Sequence, residues 1–212
     1  SISIAPYYPD AFKALGLVYY KKGMEVEGRD AMAAASDTRG LINYYKKGLV
    51  EDAIIQYKEA LKIDPANKEA RYHLAKIYHE QGMLDEAVTE YVTLLTSNPD
   101  DFDTLNGLGL AFFQKGYFEK ALSLYRKALD VDPESIASYN NIGMTYAVMG
   151  KAEEAEKWFE KGLQVDPESA ESYYNLGFLY QNNGKLDKAI DAYKTAKRIR
   201  PDYEDAKDRI EE

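Results

Sequence analysis

The sequence predicts an all-α fold, a solenoid built from antiparallel helix pairs. Three observations predict it. Five prolines, Pro65, Pro99, Pro133, Pro167 and Pro201, stand 34 residues apart. Between them a fixed grammar recurs: Leu105, Leu108-Gly109, Phe112, Gly116, Ala121, Tyr125 and Ala128, closed by Asp132-Pro133. Shifting it by 34 returns Tyr139, Ile142-Gly143, Tyr146, Gly150, Ala155 and Phe159; a second shift returns Tyr173, Leu176-Gly177, Tyr180, Gly184, Ala189 and Tyr193. The backward shift returns Leu74-Ala75, Tyr78, Gly82, Ala87 and Tyr91. Self-similarity at a fixed period of this length is the mark of a repeat architecture, in which each unit is one supersecondary element that buries its apolar face on its neighbours.

A period of 34 with this grammar resembles the tetratricopeptide (TPR) repeat, over nearly the whole chain. The resemblance implies a right-handed superhelical solenoid whose first helices line a concave face. Five and a half repeats fall short of one superhelical turn, so an open hook shape is expected.

Each residue type in the grammar has a physical reason. Gly109, Gly143, Gly177 and Ala75 fall in mid-helix, where Gly costs roughly 1 kcal/mol against Ala, so a close approach of two helices is expected there. Ala87, Ala121, Ala155 and Ala189 are the expected small partners, with Gly143 set near Ala155. The aromatics Tyr78, Phe112, Tyr146 and Tyr180 fill the wider spaces between helices. Gly82, Gly116, Gly150 and Gly184 follow the first helix, where a left-handed cap is wanted. The Asp64-Pro65, Asp132-Pro133 and Asp166-Pro167 pairs end the second helix, because Pro disfavours helix in the residue before it.

In chain order, Ser1 to Pro6 reads like the tail of a second helix, so the chain is expected to begin mid-repeat. Asp10 to Lys22 is a first helix carrying Phe12, Leu15, Gly16 and Tyr19, stopped by Gly23. The spacing from Pro6 to Pro65 is nine residues short of two periods, so Met24 to Ala35 is a truncated second helix. Ser36 or Asp37 caps the next helix. Gly40-Leu41 inverts the usual order in the repeat that ends at Pro65, and Tyr44, Gly48, Ala53 and Tyr57 restore the register. Three segments are expected: an irregular N-terminal piece over 1–36, an array over 37–203 with repeats ending near 67, 101, 135, 169 and 203, and a partial C-terminal capping helix over 204–212.

Composition excludes several function classes. The 212 residues carry no Cys and a net charge of −9. There is thus no disulfide framework or thiolate metal site, and nucleic acid, whose binding rests on clustered Lys and Arg, is not an expected partner. No run of apolar residues is long enough for a membrane span, and Ser1 to Pro6 lacks the basic start of a signal peptide. His73 and His79, six apart, lie about 240° around a helix axis and cannot share a metal as an i, i+4 pair does; both are expected to be partly exposed in the groove. Asp100, Asp101 and Asp103 read as acids opposing a helix dipole. Trp158 reads as a packing residue. There is no phosphate loop, nucleophile elbow or Cys–His pair, so no catalytic residue, metal or cofactor is expected.

The first helices offer an aromatic, amide and apolar row: Tyr20, Lys21, Tyr45 and Lys46 near the start, then Tyr72, Lys76, Asn106, Leu110, Phe113, Asn140, Asn141, Met144, Tyr174, Asn175 and Phe178. Asn side chains both donate and accept, which matches a peptide backbone, and aromatics supply contact area at low entropic cost. The row either holds an extended partner segment in the groove or bridges neighbouring helices. A TPR sub-family that grips carboxylate termini uses Lys-x-x-x-Asn and Lys-x-x-x-Arg pairs; Arg39 and Asn43 come nearest here, so a chaperone adaptor is disfavoured.

The irregular start, Gly16-Leu17, Lys21-Lys22-Gly23-Met24, Asp30-Ala31-Met32 and Ala33-Ala34 running into Asp37 and Arg39, is similar to that of the magnetosome-associated TPR proteins. That resemblance implies a cytoplasmic scaffold, peripheral on an organelle membrane, that self-assembles and recruits other proteins, its N-terminal piece docking in a neighbour's groove. Residues 1–50 carry seven basic and five acidic side chains against 20 and 31 in the rest. A head-to-tail homo-oligomer would use this polarity, with Phe12, Leu15, Tyr19, Tyr20 and Lys21 as the docking residues. The expected function is a non-enzymatic protein–protein interaction scaffold; the alternatives are a monomeric peptide-binding adaptor and a regulatory TPR domain of a larger enzyme.

Overall fold

The computed structural model describes residues 50–201. Among them are nine helices: α1 Val50–Ile63, α2 Lys68–Glu80, α3 Leu84–Ser97, α4 Phe102–Gln114, α5 Phe118–Val131, α6 Ile136–Val148, α7 Ala152–Val165, α8 Ala170–Asn182 and α9 Leu186–Ile199. The chain divides into two compact units, Ser1–Pro99 and Asp100–Glu212. The expected N-terminal piece and capping helix, and the docking residues Phe12, Leu15, Tyr19, Tyr20 and Lys21, lie outside the described residues.

The helix ends follow from the repeat grammar. Each first helix starts at a capping side chain, Asn67, Asp101, Ser135 or Ser169, spaced by the repeat. Each accepts from the backbone N–H three residues on, at 3.0 to 3.2 Å, a cap worth about 1 kcal/mol. Each first helix ends at Gly82, Gly116, Gly150 or Gly184 with φ of 71° to 77°. At the first of these, Met83 N donates to Tyr78 O at 2.8 Å and Gly82 N to His79 O at 3.0 Å, the paired bonds that close a helix on a left-handed residue. The same two bonds recur at the other three glycines. The second helices stop where Asp132 and Asp166 turn extended before proline, and their carboxylates accept from Glu134 N and Glu168 N at 3.1 and 2.9 Å.

In the first unit α2 packs against both α1 and α3. In the second unit α4 pairs with α5, α6 with α7 and α8 with α9, and each pair stacks on the next through α5 on α6 and α7 on α8. The mid-helix glycines explain the pairing distance. A Cβ added at Gly109, Gly143 or Gly177 would lie 2.5 Å from the ring of Tyr125, Phe159 or Tyr193. The close approach is as expected: at Gly143 the three nearest atoms all belong to the Phe159 ring, one turn beyond Ala155 on the same helix. Ala155 and Phe159 are both fully buried in one cluster with Leu176, Leu179 and Ala192.

The aromatics after the glycines tie one repeat to the next. Arg126 Nη2 on α5 donates to the Tyr146 hydroxyl on α6 at 2.6 Å, and the Tyr180 hydroxyl on α8 donates to Glu156 on α7 at 2.6 Å. Lysines stand over these rings: Lys58 over Tyr78, Lys120 over Phe112, Lys151 over Tyr146 and Lys188 over Tyr180, 5.1 to 5.8 Å from the centroids, so their stems cover apolar surface while the charges stay wet. Trp158 packs beside the cluster of Ala121, Leu122, Tyr125 and Ile142 and carries Lys161 over its face at 4.1 Å.

Candidate functional site

In the second unit the first helices α4, α6 and α8 touch one another in succession. Nine of the residues named from the sequence lie on them. Leu110 is exposed; Asn106, Phe113, Asn141, Met144, Tyr174 and Phe178 are half-buried; Asn140 and Asn175 are buried. None of the nine is a carboxylate, a histidine or a basic residue. These nine can therefore offer apolar contact and neutral amide hydrogen bonds. Tyr72 and Lys76 lie on α2 in the first unit, both half-buried, with the Tyr72 ring edge-on to Tyr91.

The asparagine row resolves into two sets. Ser138 Oγ on α6 donates to Asn106 Oδ1 on α4 at 3.1 Å, and Ser172 Oγ on α8 donates to Asn140 Oδ1 on α6 at 2.9 Å. The same serines lie 3.0 Å from the capping serines Ser135 and Ser169. Cap, serine and asparagine thus form a chain that staples one first helix to the next. Asn106 spends its amide N–H on Phe102 O at 3.1 Å, one turn back in its own helix. Asn106 and Asn140 bridge helices, whereas Asn141 sits one residue further round α6 and is half-buried. Gly162 makes room for the second staple: a Cβ there would stand 3.3 Å from Tyr139 Cβ and 3.5 Å from Ser172 Oγ.

Two expectations about single residues need correction or completion. His73 is not a partly exposed groove residue; it is 8% exposed, stacked on Tyr57 with ring centroids 5.7 Å apart, because it falls on the side of α2 that faces α1. His79 is half-buried. Asp101 caps α4 and Asp103 lies in its first turn, where carboxylates stabilise the helix terminus. Among the described residues no group of His, Asp and Glu is arranged to hold a metal ion, and no helix is long and apolar enough to cross a membrane.

Sequence reasoning missed a cavity of about 340 Å³ between α6, α7 and α8, lined by Ala147, Val148, Ala152, Phe178, Leu179 and Asn182, with Gly150 and Asn183. Only Phe178 of these was named in advance. The signal was present in the repeat: Ala147 and Ala152 occupy the positions that one period earlier hold Phe113 and Phe118.

Comparison with known proteins agrees with this geometry. The TPR repeat family matches residues 43–82, 75–116 and 109–150, and the tetratricopeptide repeat family matches 134–202. No curated protein sequence matches the chain. A thermophilic TPR protein of Thermus thermophilus is similar in structure at 27% identity, covering 82% of this chain and 94% of that one, with a TM-score of 0.66. The crystal structure of MamA is similar at 25% identity, covering 74% of this chain and 92% of that one, with a TM-score of 0.63. YrrB, described as a TPR protein with an unusual peptide-binding site, shares the fold at 24% identity over 80% of this chain and 87% of that one, with a TM-score of 0.59. With its all-α helix pairs, its glycine-closed first helices and family matches spanning most of its length, this chain belongs to the tetratricopeptide repeat family.

Proposed function

We propose that the chain is a non-enzymatic TPR scaffold that binds an extended segment of a partner protein along its first helices, assembles with its own copies and recruits partners to a magnetosome surface from the cytoplasmic side. TPR proteins mediate protein–protein interaction, and one observation carries the reading for this chain. The row Leu110, Phe113, Asn141, Met144, Tyr174 and Phe178 keeps apolar and amide groups at least partly open to solvent on helices whose opposite sides are packed. Leu110 is 39% exposed, and with its half-buried neighbours it offers apolar area that a partner segment could cover.

The assembly part rests on the likeness to MamA and on the charge difference between residues 1–50 and the remainder. A heterologous contact, the N-terminal piece of one copy on the inner face of the next, need not close into a ring. Its electrostatic share should weaken as salt rises, because the Debye length falls to about 3 Å at 1 M. Light scattering over a concentration series tests it. The full chain is expected to associate at low salt, and a chain lacking residues 1–36 is expected to stay monomeric at the same concentrations. Equal association of the two removes N-terminal docking. A full chain that is monomeric throughout leaves the simple adaptor as the better reading.

A further inference from the structure

The cavity between α6, α7 and α8 lies where the repeats differ in side-chain size. One repeat earlier the equivalent positions hold Phe113 and Phe118, whose rings meet edge-on with centroids 5.7 Å apart. Both rings are half-buried, so they fill the junction from within. One period on, the two positions hold Ala147 and Ala152, and the space stands open at about 340 Å³. The helix end beside it is closed in the same way: Gly150 takes φ 75° against 77° at Gly116. The cavity therefore stands where the preceding repeat carries two rings and this one carries two methyl groups.

Its walls select among occupants. The apolar lining is Ala147, Val148, Ala152, Phe178 and Leu179, and no lining residue is ionisable. A charged side chain entering it would lose its hydration without a counter-charge, at a cost of several kcal/mol. The rim is amide. Asn183 Nδ2 is spent on Leu179 O at 2.7 Å, which leaves Asn183 Oδ1 and the exposed Asn182 amide beside the opening. Neutral amides at the mouth of an apolar pocket match the peptide groups that flank a buried side chain.

We infer that this cavity is the anchor of the partner-binding face, and that it takes an aromatic side chain, phenylalanine in the first instance, from an extended partner peptide that supplies in trans the ring the chain omits at Ala147 and Ala152. The inference rests on the peptide-binding reading above and adds to it a ligand class and a location. Phe178 belongs to both, so a segment lying along α6 and α8 would pass the cavity mouth.

The test uses the full chain and a random peptide display library. Peptides selected on the chain are expected to share an aromatic residue. Synthetic versions should lose about tenfold or more in affinity when that residue is replaced by alanine, on an otherwise unaltered protein. They should lose as much against the Ala147→Phe, Ala152→Phe double variant, which restores the earlier repeat's ring pair and is expected to melt no lower than the parent. A Leu110→Asp, Met144→Asp variant, which alters the face outside the cavity, separates the two readings. Peptides weakened by that variant but bound within twofold by the filled one would overturn the aromatic anchor and leave the binding face intact. Recovery of no peptide at all would overturn both, and selected peptides without a shared aromatic residue would overturn the anchor alone.

Discussion

Gly143→Leu tests the pairing geometry most directly. The first atom of any side chain at that position would stand 2.5, 2.7 and 2.9 Å from Cε1, Cδ1 and Cζ of Phe159, where ordinary carbon contacts are near 3.5 to 4.0 Å. The ring must retreat by about 1 Å before the rest of the leucine is placed. Phe159 is fully buried, with Ala155, Leu176 and Leu179 in its cluster, so it has little room to retreat into. Overpacking of this kind costs about 1–3 kcal/mol. Gly143→Ala is the graded control: it gains up to about 1 kcal/mol of helix propensity and loses part of the same steric term, so it should fall near neutrality or mildly below. The first unit shows that a methyl can be accommodated at this register, since Ala75 is fully buried there. The assay is urea unfolding followed by helical signal, read as a midpoint shift at constant slope. Leucine at Gly109 and Gly177 should behave alike, because Tyr125 and Tyr193 stand at the same 2.5 Å. A Gly143→Leu protein that unfolds within about 0.3 kcal/mol of the parent would refute the ring-on-glycine seam.

Two further outcomes are expected. Burial holds the phenols of Tyr91 and Tyr125 well above the ordinary tyrosine range; the unfolded chain releases those protons near pH 10 while the folded chain keeps them. Their contribution is complete below that pH and is lost as pH rises above it, so melting should drop steeply above about pH 10, and less steeply in Tyr125→Phe; coincident curves would contradict the burial. Ser172→Ala should cost about 1–3 kcal/mol by stripping the partner from Asn140 Oδ1, and Ser138→Ala less, since Asn140 is 2% exposed and Asn106 is half-buried; urea midpoints equal to the parent's in both variants would show that the staples carry no weight.

The fold was legible because its signals are local and repeated. A glycine that must take positive φ, an aspartate before proline and a small residue in mid-helix each report one backbone constraint, and 34-residue spacing multiplies each report. Partners across a seam were less legible. The sequence marks where Gly143 sits but does not say whether Ala155 or Phe159 lies opposite, since both face the same way one turn apart. The asparagines show the same limit: Asn140 and Asn141 are neighbours in sequence, yet a rotation of one residue sends the first into a helix–helix staple and leaves the second half-buried on α6. Ser138 and Ser172 also recur at the repeat period, but a serine near a helix start reads as capping, and its second bond appears only when the preceding helix is in place. The cavity was hidden for the opposite reason. It is an absence of side chain, and alanine in a helix attracts no notice until it is set beside Phe113 and Phe118.

What remains constant along the chain and what varies divide by face. The capping residues, the closing glycines and the ring-on-glycine pairs repeat almost unchanged, because stacking identical units demands identical seams. The positions turned away from those seams do not repeat. At one offset the chain carries Lys76, Leu110, Met144 and Phe178, and at another His79, Phe113, Ala147 and Gln181. Stability alone gives no reason for this variation, since any helix-favouring side chain would serve on a solvated face. A partner segment does give one. Successive side chains of an extended peptide would meet successive repeats, so within the second unit a face that changes from the apolar Leu110 and Phe113 to the open space at Ala147 can bind one sequence in one direction and leave the reverse unsatisfied. On this argument Ala147 and Ala152, where the preceding repeat holds Phe113 and Phe118, are the point at which the proposed partner's aromatic side chain finds space.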